Sequence, residues 1–474
     1  MTAAIDVDVL VAGAGAAGLA AGLSAAEMGA EVLIVDANKR FGHECNTSLS
    51  TAMIPAAGTR FQRTAAIDDS PQRFLDDVQH KTHGNADPVV ARTLTTVASV
   101  VVEWLVDHCH VDLQLATDFN YPGHSRYRCH TVADRSGQTL HTSLMSAVRR
   151  DRRIELASPM RLTEVLVESP GVVVGATLRP PSGPSEDVRS CAVVLATNGF
   201  GANQDLVRRY LPEIANGLYF GGQESTGDAI HIAEQVGADL ACLDAYQGHG
   251  SVTTPHGVLL TWATIMHGAI IVNAEGVRFG NETAGYSEFA SKVLQQPGGF
   301  AWVIYDKTVD AMCRAFKDYQ LCVETGAVRW TPDVAALAEQ TGIPQQALTN
   351  TLASVSSAVD GTTSDPFGRV DWGRRLTPPY AAVKVTGALF HTQGGMRVDE
   401  HAAVLRRGDP IRGLYAAGGA AVGMSGHGAD GYLAGNGLLA ALGLGYIAGR
   451  SAAMRKHSRA VTGERDNGEG PMNV

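Results

Sequence analysis

The sequence predicts an α/β fold in which an α+β domain is inserted into the first domain. The first observation is a strand–turn–helix–strand unit at the start of the chain, with glycines in the turn. The second is a set of short apolar strands later in the chain, which predicts a return to the same domain. The third is a change in the sequence pattern at residues 243–372, where helix-like stretches replace the predicted strands.

The opening unit carries a recognisable turn. Residues 7–11 form a predicted buried strand, the turn reads Gly13-x-Gly15-x-x-Gly18, and Asp36 ends the next strand. In this context Gly15 lets backbone amides approach a pyrophosphate at the helix N-terminus, and Asp36 accepts a hydrogen bond from a ribose hydroxyl. The unit therefore predicts a Rossmann-like domain that binds a dinucleotide.

The remaining elements follow in chain order. A long helix is predicted over residues 87–109, and a strand, a glycine-rich loop and a small-residue helix are predicted over residues 413–453. Short strands are predicted at 161–168, 171–179 and 191–200, and helix-like sequence at 333–361. The predicted domains are a discontinuous nucleotide-binding domain at 1–242 and 373–454, a capping domain at 243–372 and a flexible tail at 455–474.

Composition narrows the class of protein. The 474 residues carry a formal charge of −10 and are 45% hydrophobic, which predicts a globular protein with a large core and argues against nucleic acid as a partner. Seven scattered cysteines without a C-x-x-C pair predict reduced thiols and no haem attachment, iron–sulfur cluster or metal site. We expect no signal peptide, no membrane span and a cytoplasmic location.

Three further segments resemble one flavoprotein superfamily. "VVLATNGF" (193–200), "STGDAIHIAEQVGADL" (225–240) and "GLYAAGG" (413–419) follow the glycine turn in the order found in fumarate reductase and succinate dehydrogenase flavoproteins and in 3-ketosteroid dehydrogenases. The resemblance implies a glutathione-reductase-type FAD-binding domain with a capping domain, and noncovalent FAD. Covalent attachment of the flavin to His43 is the alternative. A second G-x-G-x-x-G is absent, so NAD(P)H is not indicated as the electron source.

The resemblance also implies which residues contact FAD. The amides at the start of the last helix would face the pyrimidine edge of the flavin, where reduced flavin is anionic. The implied contacts are Gly13, Gly15, Ala16, Ala17, Gly18, Asp36, Ala37, Asn46, Ser48, Thr197, Asn198, Gly199, Asp228, Gly418, Gly419, Asn436, Gly437, Leu438 and Leu439.

The substrate segment departs from the fumarate reductase pattern. "IIVNAEGVRFGNE" (270–282) matches closely, and His249 and His391 match two substrate-contacting histidines of that family. The proton-donating arginine of that family is replaced by Tyr286, and its final carboxylate-binding arginine by Gly431 or Tyr432. The relay that feeds the proton is also lost, because its threonine–glutamate pair and its arginine fall on Thr261, Trp262 and Ile265.

These replacements predict a change of substrate. Two buried carboxylates need about two cationic partners, since an unpaired buried charge costs several kcal/mol. A dicarboxylate is therefore disfavoured and a ketone with an apolar body is favoured. Tyrosines at these two places resemble the 3-ketosteroid dehydrogenases, in particular the Δ4-(5α) subgroup, although the serine of its Y-x-S-G motif is Ala434 here.

The resemblance and the chemistry of desaturation together suggest roles for the site residues. A polarised carbonyl, a base for the α-proton and an acceptor for the β-hydride are required, and flavin N5 is the expected hydride acceptor. We expect Tyr286, with a lowered pKa, to be the base, and Tyr432 with an amide of Gly435 or Asn436 to hold the carbonyl. His249 and His391 complete the predicted catalytic set, and the further predicted substrate contacts are Tyr121, Arg126, Trp262 and Gly435.

Two alternatives stay open at this point. The same site run in reverse would be an ene-reductase acting on an enone or enoate. A different class would be a noncatalytic flavoprotein or an electron-transfer subunit. The electron acceptor could be a quinone, oxygen or a carrier protein.

Overall fold

The computed structural model describes residues 5–168 and 171–462. The strands are β1 Ile5–Ala12, β2 Val32–Val35, β3 Ile54–Pro55, β4 Gln114–Leu115, β5 Cys129–Thr131, β6 Ile154–Ala157, β7 Arg161–Glu168, β8 Val172–Arg179, β9 Glu186–Leu195, β10 Leu218–Tyr219, β11 Leu240–Ala241, β12 Tyr246–Thr253, β13 Ile270–Val272, β14 Ala301–Asp306, β15 Arg329–Thr331, β16 Tyr380–Thr392, β17 Gly395–Met396, β18 Ala403–Arg406 and β19 Asp409–Ala416. The helices are α1 Ala16–Glu27, α2 Phe41–Glu44, α3 Arg60–Thr64, α4 Pro71–Lys81, α5 Pro88–Asp107, α6 Gly137–Arg150, α7 Gln204–Tyr210, α8 Asp228–Val236, α9 Ala263–Met266, α10 Tyr286–Leu294, α11 Lys307–Cys313, α12 Lys317–Glu324, α13 Val334–Thr341, α14 Gln345–Val359 and α15 Asn436–Thr462.

The larger sheet positions the nucleotide-binding turn. Its path is β18-β19-β9-β1-β2-β6, and β7 and β8 continue it from β9 as an antiparallel hairpin. Strands β19, β9 and β1 are parallel neighbours that end in register, with Ala12 beside Leu195 and Leu195 beside Ala416. Because parallel strands bring their carboxyl ends to one edge, the three segments that follow these strands meet there.

Small residues let two helices approach closely behind this edge. Helix α1 is buried on nearly all sides and packs along α15. A Cβ on Gly445 would lie 2.4 Å from the Ala17 carbonyl oxygen, and one on Gly449 would lie 2.1 Å from the Ala21 carbonyl oxygen. The alanine-rich and glycine-rich sequences of the two helices are therefore explained by their close contact.

A second sheet forms around the long strand β16. Strands β12, β14 and β15 pair with β16 antiparallel, β10 pairs with it parallel, and β13 extends the sheet from β14. Helix α10 covers β12 and β16. Both β10 and β16 lie outside residues 243–372, so this sheet draws on the chain beyond the predicted insert, whose boundaries stay a prediction.

Within residues 5–168 and 171–462, two helices reach the length and hydropathy of a membrane span, although no span was predicted. They are α5 and residues 436–455 of α15, and 50% and 61% of their apolar windows are buried within the protein. Many of their apolar residues lie in the core, although Val89 and Val100 of α5 are exposed. Helix α15 extends to Thr462, into the segment predicted as a tail, and residues 463–474 lie outside the described residues.

Candidate active site

A long cavity lies between the carboxyl edge of the large sheet and the second sheet, and its first part is the glycine turn. Gly13 has φ +115°, and the amide of Ala16, the first residue of α1, donates to Thr47 Oγ1 at 2.9 Å. A Cβ on Gly15 would have ordinary room, with Thr47 Oγ1 nearest at 3.5 Å, whereas one on Gly18 would lie 1.7 Å from the Gly13 carbonyl oxygen. Gly15 thus leaves space on the cavity side, and Gly18 is required by internal packing.

The polar groups beside this turn fit a dinucleotide. One carboxylate oxygen of Asp36 accepts from the Ala14 amide at 2.7 Å and the other from the Asn38 amide at 2.8 Å. Burial raises the pKa of Asp36, and these two bonds oppose the rise. The Thr197 hydroxyl oxygen is buried at the cavity wall and has no partner among the described residues. A buried hydroxyl at a cavity wall fits a polar ligand, so the site fits FAD.

Most of the FAD contacts implied by the sequence line the cavity, and five lie behind its wall. The lining set is Gly13, Gly15, Ala16, Ala17, Asp36, Ala37, Asn46, Thr197, Asn198, Asp228, Gly418, Gly419, Gly437 and Leu438. Gly18, Ser48, Gly199, Asn436 and Leu439 are the residues behind it. His43 is exposed and bonds Gln138 at 2.9 Å outside the cavity, a position that favours noncovalent FAD.

The far part of the cavity brings the four predicted catalytic residues together. Tyr286, the first residue of α10, stacks on His249 with ring centroids 4.8 Å apart. The Tyr432 ring lies 6.0 Å from both Tyr286 and His391. The Gly437 amide at the start of α15 donates to the Tyr432 hydroxyl oxygen at 3.3 Å.

Aromatic side chains extend this arrangement into a continuous wall. The rings of Tyr286, His249, Phe390 and Phe220 stack in a row at 4.8, 5.2 and 5.0 Å. Trp262, predicted as a substrate contact, packs edge-on to His249, and its buried indole N–H has no partner in the described part of the chain. The remaining apolar lining at this end includes Phe119, Leu259, Met266 and Phe316. Tyr121 and Gly435, which are also predicted substrate contacts, lie in the cavity wall.

This end of the cavity carries no cationic side chain. Among the described lining residues Arg161 is the one arginine or lysine, and it pairs with Glu224 and Asp228 at the nucleotide end. Burial lowers the pKa of His249 to about 3 and that of His391 to about 4, so both are neutral at pH 7. The substrate end is therefore both apolar and uncharged.

Two expectations about this end need correction. A lowered pKa was expected for Tyr286. Instead, burial raises its pKa well above the ordinary value, and no cation faces the phenol to oppose that rise. Burial also raises the pKa of Tyr432, but hydrogen bonds from Gly437 and Tyr286 oppose that rise. Arg126 does not reach the cavity, since its side chain is exposed and donates to the Ser125 carbonyl at 2.8 Å.

The sequence reasoning missed several lining residues. Phe390 directly precedes His391 in β16, and this adjacency was an available signal. Phe119, Phe220, Met266 and Phe316 come from separate segments with no shared motif, so only the fold brings them together. Arg128 and His130 are fully buried and do not line the cavity, and Arg128 pairs with Asp69 at 2.9 Å while His130 bonds Thr59.

Comparisons with known proteins agree with this geometry. A family model described as an FAD binding domain matches residues 8–438. A fumarate reductase (cytochrome) from Shewanella frigidimarina is 30% identical over 452 residues, which cover 94% of this chain and 77% of the relative. The open conformation of a flavocytochrome c3 fumarate reductase has a TM-score of 0.76 and 27% identity, covering 95% of this chain and 78% of the other. The 3-ketosteroid-Δ4-(5α)-dehydrogenase from Rhodococcus jostii RHA1, solved with 4-androstene-3,17-dione, has a TM-score of 0.75 and 25% identity, covering 95% and 97%.

Proposed function

The chain belongs to the FAD-dependent flavoprotein superfamily of fumarate reductases, succinate dehydrogenases and 3-ketosteroid dehydrogenases, and we propose that it desaturates the bond next to the carbonyl of an apolar cyclic ketone. Its relatives are oxidoreductases of carbon–carbon bonds, and this chain is an FAD-dependent enzyme of the same kind. The proposed substrates range from a cyclohexanone or an oxocyclohexane carboxylate to a 3-ketosteroid.

The missing cations at the substrate end carry this proposal. A dicarboxylate in this position would bury two charges among neutral histidines, phenols and hydrocarbon, at a cost of several kcal/mol per ion. A ketone has one polar atom, which needs only one or two hydrogen-bond donors. Tyr432 and the unpartnered indole N–H of Trp262 are donors at this end.

The paired phenols support a proton transfer without a free phenolate. The Tyr432 oxygen accepts a hydrogen bond from the Gly437 amide at 3.3 Å, which leaves the Tyr432 hydrogen available for the substrate carbonyl, and the Tyr286 ring lies 6.0 Å from the Tyr432 ring. In the proposed step the Tyr286 oxygen takes the α-proton as its own proton passes to Tyr432, and the Tyr432 proton passes to the carbonyl oxygen, which gives a neutral enol. As the β-hydride leaves, the enol hydroxyl releases its proton through Tyr432 to solvent, so the substrate loses one proton and one hydride and becomes the neutral enone. The raised pKa of Tyr286 is compatible with this exchange, because neither tyrosine is ionised.

The cofactor completes the chemistry. Bound FAD would be held by the residues that line the nucleotide end, from Gly15 and Asp36 to the start of α15, and it supplies the acceptor for the β-hydride. The stacked wall from Tyr286 to Phe220 excludes water from the reacting carbons.

A second candidate is the reverse reaction, reduction of an enone or enoate. The observation that favours it is that relatives over nearly the whole chain are named as reductases. The direction of the reaction depends on the electron partner. Our candidates for this partner are a quinone, oxygen or a carrier protein. We place the reaction in the cytoplasm.

Anaerobic flavin spectroscopy on the purified holoenzyme tests the proposal. Saturated cyclic ketones should bleach the oxidised flavin, and succinate should not. Reoxidation of the dithionite-reduced enzyme by enones or enoates alone would favour the reductase. Rapid reaction with fumarate or succinate, or no response to any of these compounds, would overturn the proposed function.

A further inference from the structure

Arg135 contacts Tyr121, a residue of the cavity wall, and does not itself line the cavity. Arg135 Nη1 donates to the Tyr121 hydroxyl oxygen at 3.2 Å and to the Asp118 carboxylate at 2.8 Å. Tyr121 lines the cavity and Arg135 does not. The Arg135 side chain is 17% exposed and that of Asp118 is 30% exposed, so the chain of contacts runs from the cavity toward the surface.

Arg135 is fixed from several sides. Its guanidinium lies over the ring of Phe316, 4.6 Å from the centroid, and its backbone adopts φ +50°, an uncommon conformation for a residue other than glycine. Tyr121 is held in turn by Phe119, whose ring centroid lies 4.5 Å away. The charged or titratable groups around Arg135 are Asp118, Tyr121, Cys129 and, more distantly, His267.

The Tyr121 loop lies directly against the loop that carries Tyr432. The Ala434 amide donates to the Pro122 carbonyl at 3.4 Å, and His124 bonds the Ala434 carbonyl at 2.9 Å. The two phenols are therefore held by one packed unit at the substrate end of the cavity.

Hydrogen-bond directions decide what Tyr121 offers to a ligand. A guanidinium only donates, and a phenol has one hydrogen and two lone pairs. Arg135 fills one lone pair of the Tyr121 oxygen, and the Tyr121 hydroxyl donates to no acceptor among the described residues, so we infer that its hydrogen is offered to a ligand in the cavity. Burial raises the pKa of Tyr121 and the Arg135 charge opposes that rise, which strengthens the phenol as a donor.

We propose that Arg135 is a positioning residue that orients Tyr121 as a second hydrogen-bond donor to the substrate carbonyl, beside Tyr432. This inference rests on the proposed function, since it assumes a carbonyl substrate. The guanidinium keeps its protons at accessible pH, so it supplies charge and orientation and does not carry the proton. A positive charge thus acts on a carbonyl oxygen without contacting it, which suits a neutral ketone.

A double-mutant cycle tests the coupling. Tyr121→Phe should lower kcat with a cyclic ketone by about 10²-fold, the usual cost of losing one such donor. Arg135→Met should lower kcat by about tenfold, and the double variant should be no slower than Tyr121→Phe because Arg135 acts through Tyr121. Arg135→Lys should recover part of the loss. Arg208→Met, which removes an exposed arginine paired with Asp205 on α7, should match the wild type.

A second readout separates this inference from the proposed function. With 3-fluorotyrosine placed at position 121 of the holoenzyme, the fluorine resonance should shift in Arg135→Met and return toward wild type in Arg135→Lys, whatever the substrate. If Arg135→Met loses FAD, Arg135→Gln takes its place in both experiments. An unmoved resonance, or losses that multiply in the double variant, overturns the inference. Failure of the wild type to respond to any carbonyl compound overturns the proposed function, and the fluorine signal still decides whether Arg135 sets the Tyr121 hydrogen bond.

Discussion

The ring of Tyr286 lies between His249 and Tyr432, and neither neighbour carries a positive charge. The sequence singled out this tyrosine, because the resemblance to fumarate reductases implied an arginine at its position. The direction of its pKa could not be predicted, since that depends on the burial of groups distant in sequence. The raised pKa does not fit an ionised base, and we therefore propose a neutral proton exchange as the role of Tyr286.

Tyr286→Phe tests the residue directly. The substitution removes one oxygen and keeps the ring that stacks on His249, so the cavity should keep its shape and FAD content should not change. We expect kcat with a cyclic ketone to fall by at least ~10²-fold, the usual contribution of a positioned proton-transfer group. Tyr210→Phe, on α7 and packed against Phe200, is the matched control. A rate within threefold of wild type would remove Tyr286 from the proton exchange.

The pH profile tests the charge state of the site. Burial holds the pKa of His249 near 3 and that of His391 near 4 and raises the pKa of both tyrosines, so none of the four changes charge near neutral pH. We therefore expect kcat/KM to be flat between about pH 5 and 9, measured with the neutral ketone. A histidine with an ordinary pKa would instead give a limb near 6.5, and an ionised tyrosine base would give a rate rising tenfold per pH unit.

At the scale of elements, the two glycines Gly15 and Gly18 near the start of α1 have different roles. Gly15→Ala places a methyl group where the protein has room but a pyrophosphate must approach, so we expect the Kd of FAD to rise at least ~10-fold with little change in apoprotein stability. Gly18→Ala drives a methyl group into the Gly13 carbonyl and should lower the melting temperature of the apoprotein itself. Titration of apoprotein with FAD and thermal unfolding measure the two effects.

A control for these glycines lies nearby. A Cβ on Gly42 would meet nothing within 4 Å, so Gly42→Ala should change neither property. Loss of stability in Gly15→Ala as large as in Gly18→Ala would contradict the assignment of Gly15 to the cofactor.

The elements that sequence periodicity predicted well are local ones. The helix predicted over residues 87–109 is Pro88–Asp107, and the fingerprint turn lies between a parallel strand and a helix as expected. Strand β16 was not predicted, although it organises the second sheet with its thirteen residues. Its pairing partners β10, β12, β14 and β15 are distant in sequence, and such pairing leaves no local pattern beyond an apolar run.

At the scale of the whole molecule, the substrate cavity exists only where the two sheets face each other. Phe119, Phe220, Phe316 and Phe390 meet there from four parts of the chain. Their approach depends on how the second sheet docks, which the sequence does not encode in a motif. The apolar, uncharged lining of the substrate end was predictable from the replaced residues, and the shape of the site was not.

One buried ion pair crosses from the large domain to the start of α10. Lys81, the last residue of α4, donates to Glu288 and to the Ala284 carbonyl, both at 3.0 Å, and the two charged side chains are only 14% and 11% exposed. Glu288 lies two residues after Tyr286, and its second oxygen has no partner among the described residues. The pair therefore fixes the helix turn that presents the Tyr286 phenol to the cavity.

Removing one partner of this pair should cost more than removing both. Lys81→Met leaves the Glu288 carboxylate without its cation, which should destabilise the protein by about 2 kcal/mol and displace Tyr286 enough to lower kcat about tenfold. Lys81→Met/Glu288→Gln removes both charges and should recover most of the stability and part of kcat. Thermal unfolding and ketone turnover measure the two effects, with exposed Lys39→Met as the control. Equal losses in the single and double variants would show that the pair does not position α10, because the damage would then come from lost packing alone.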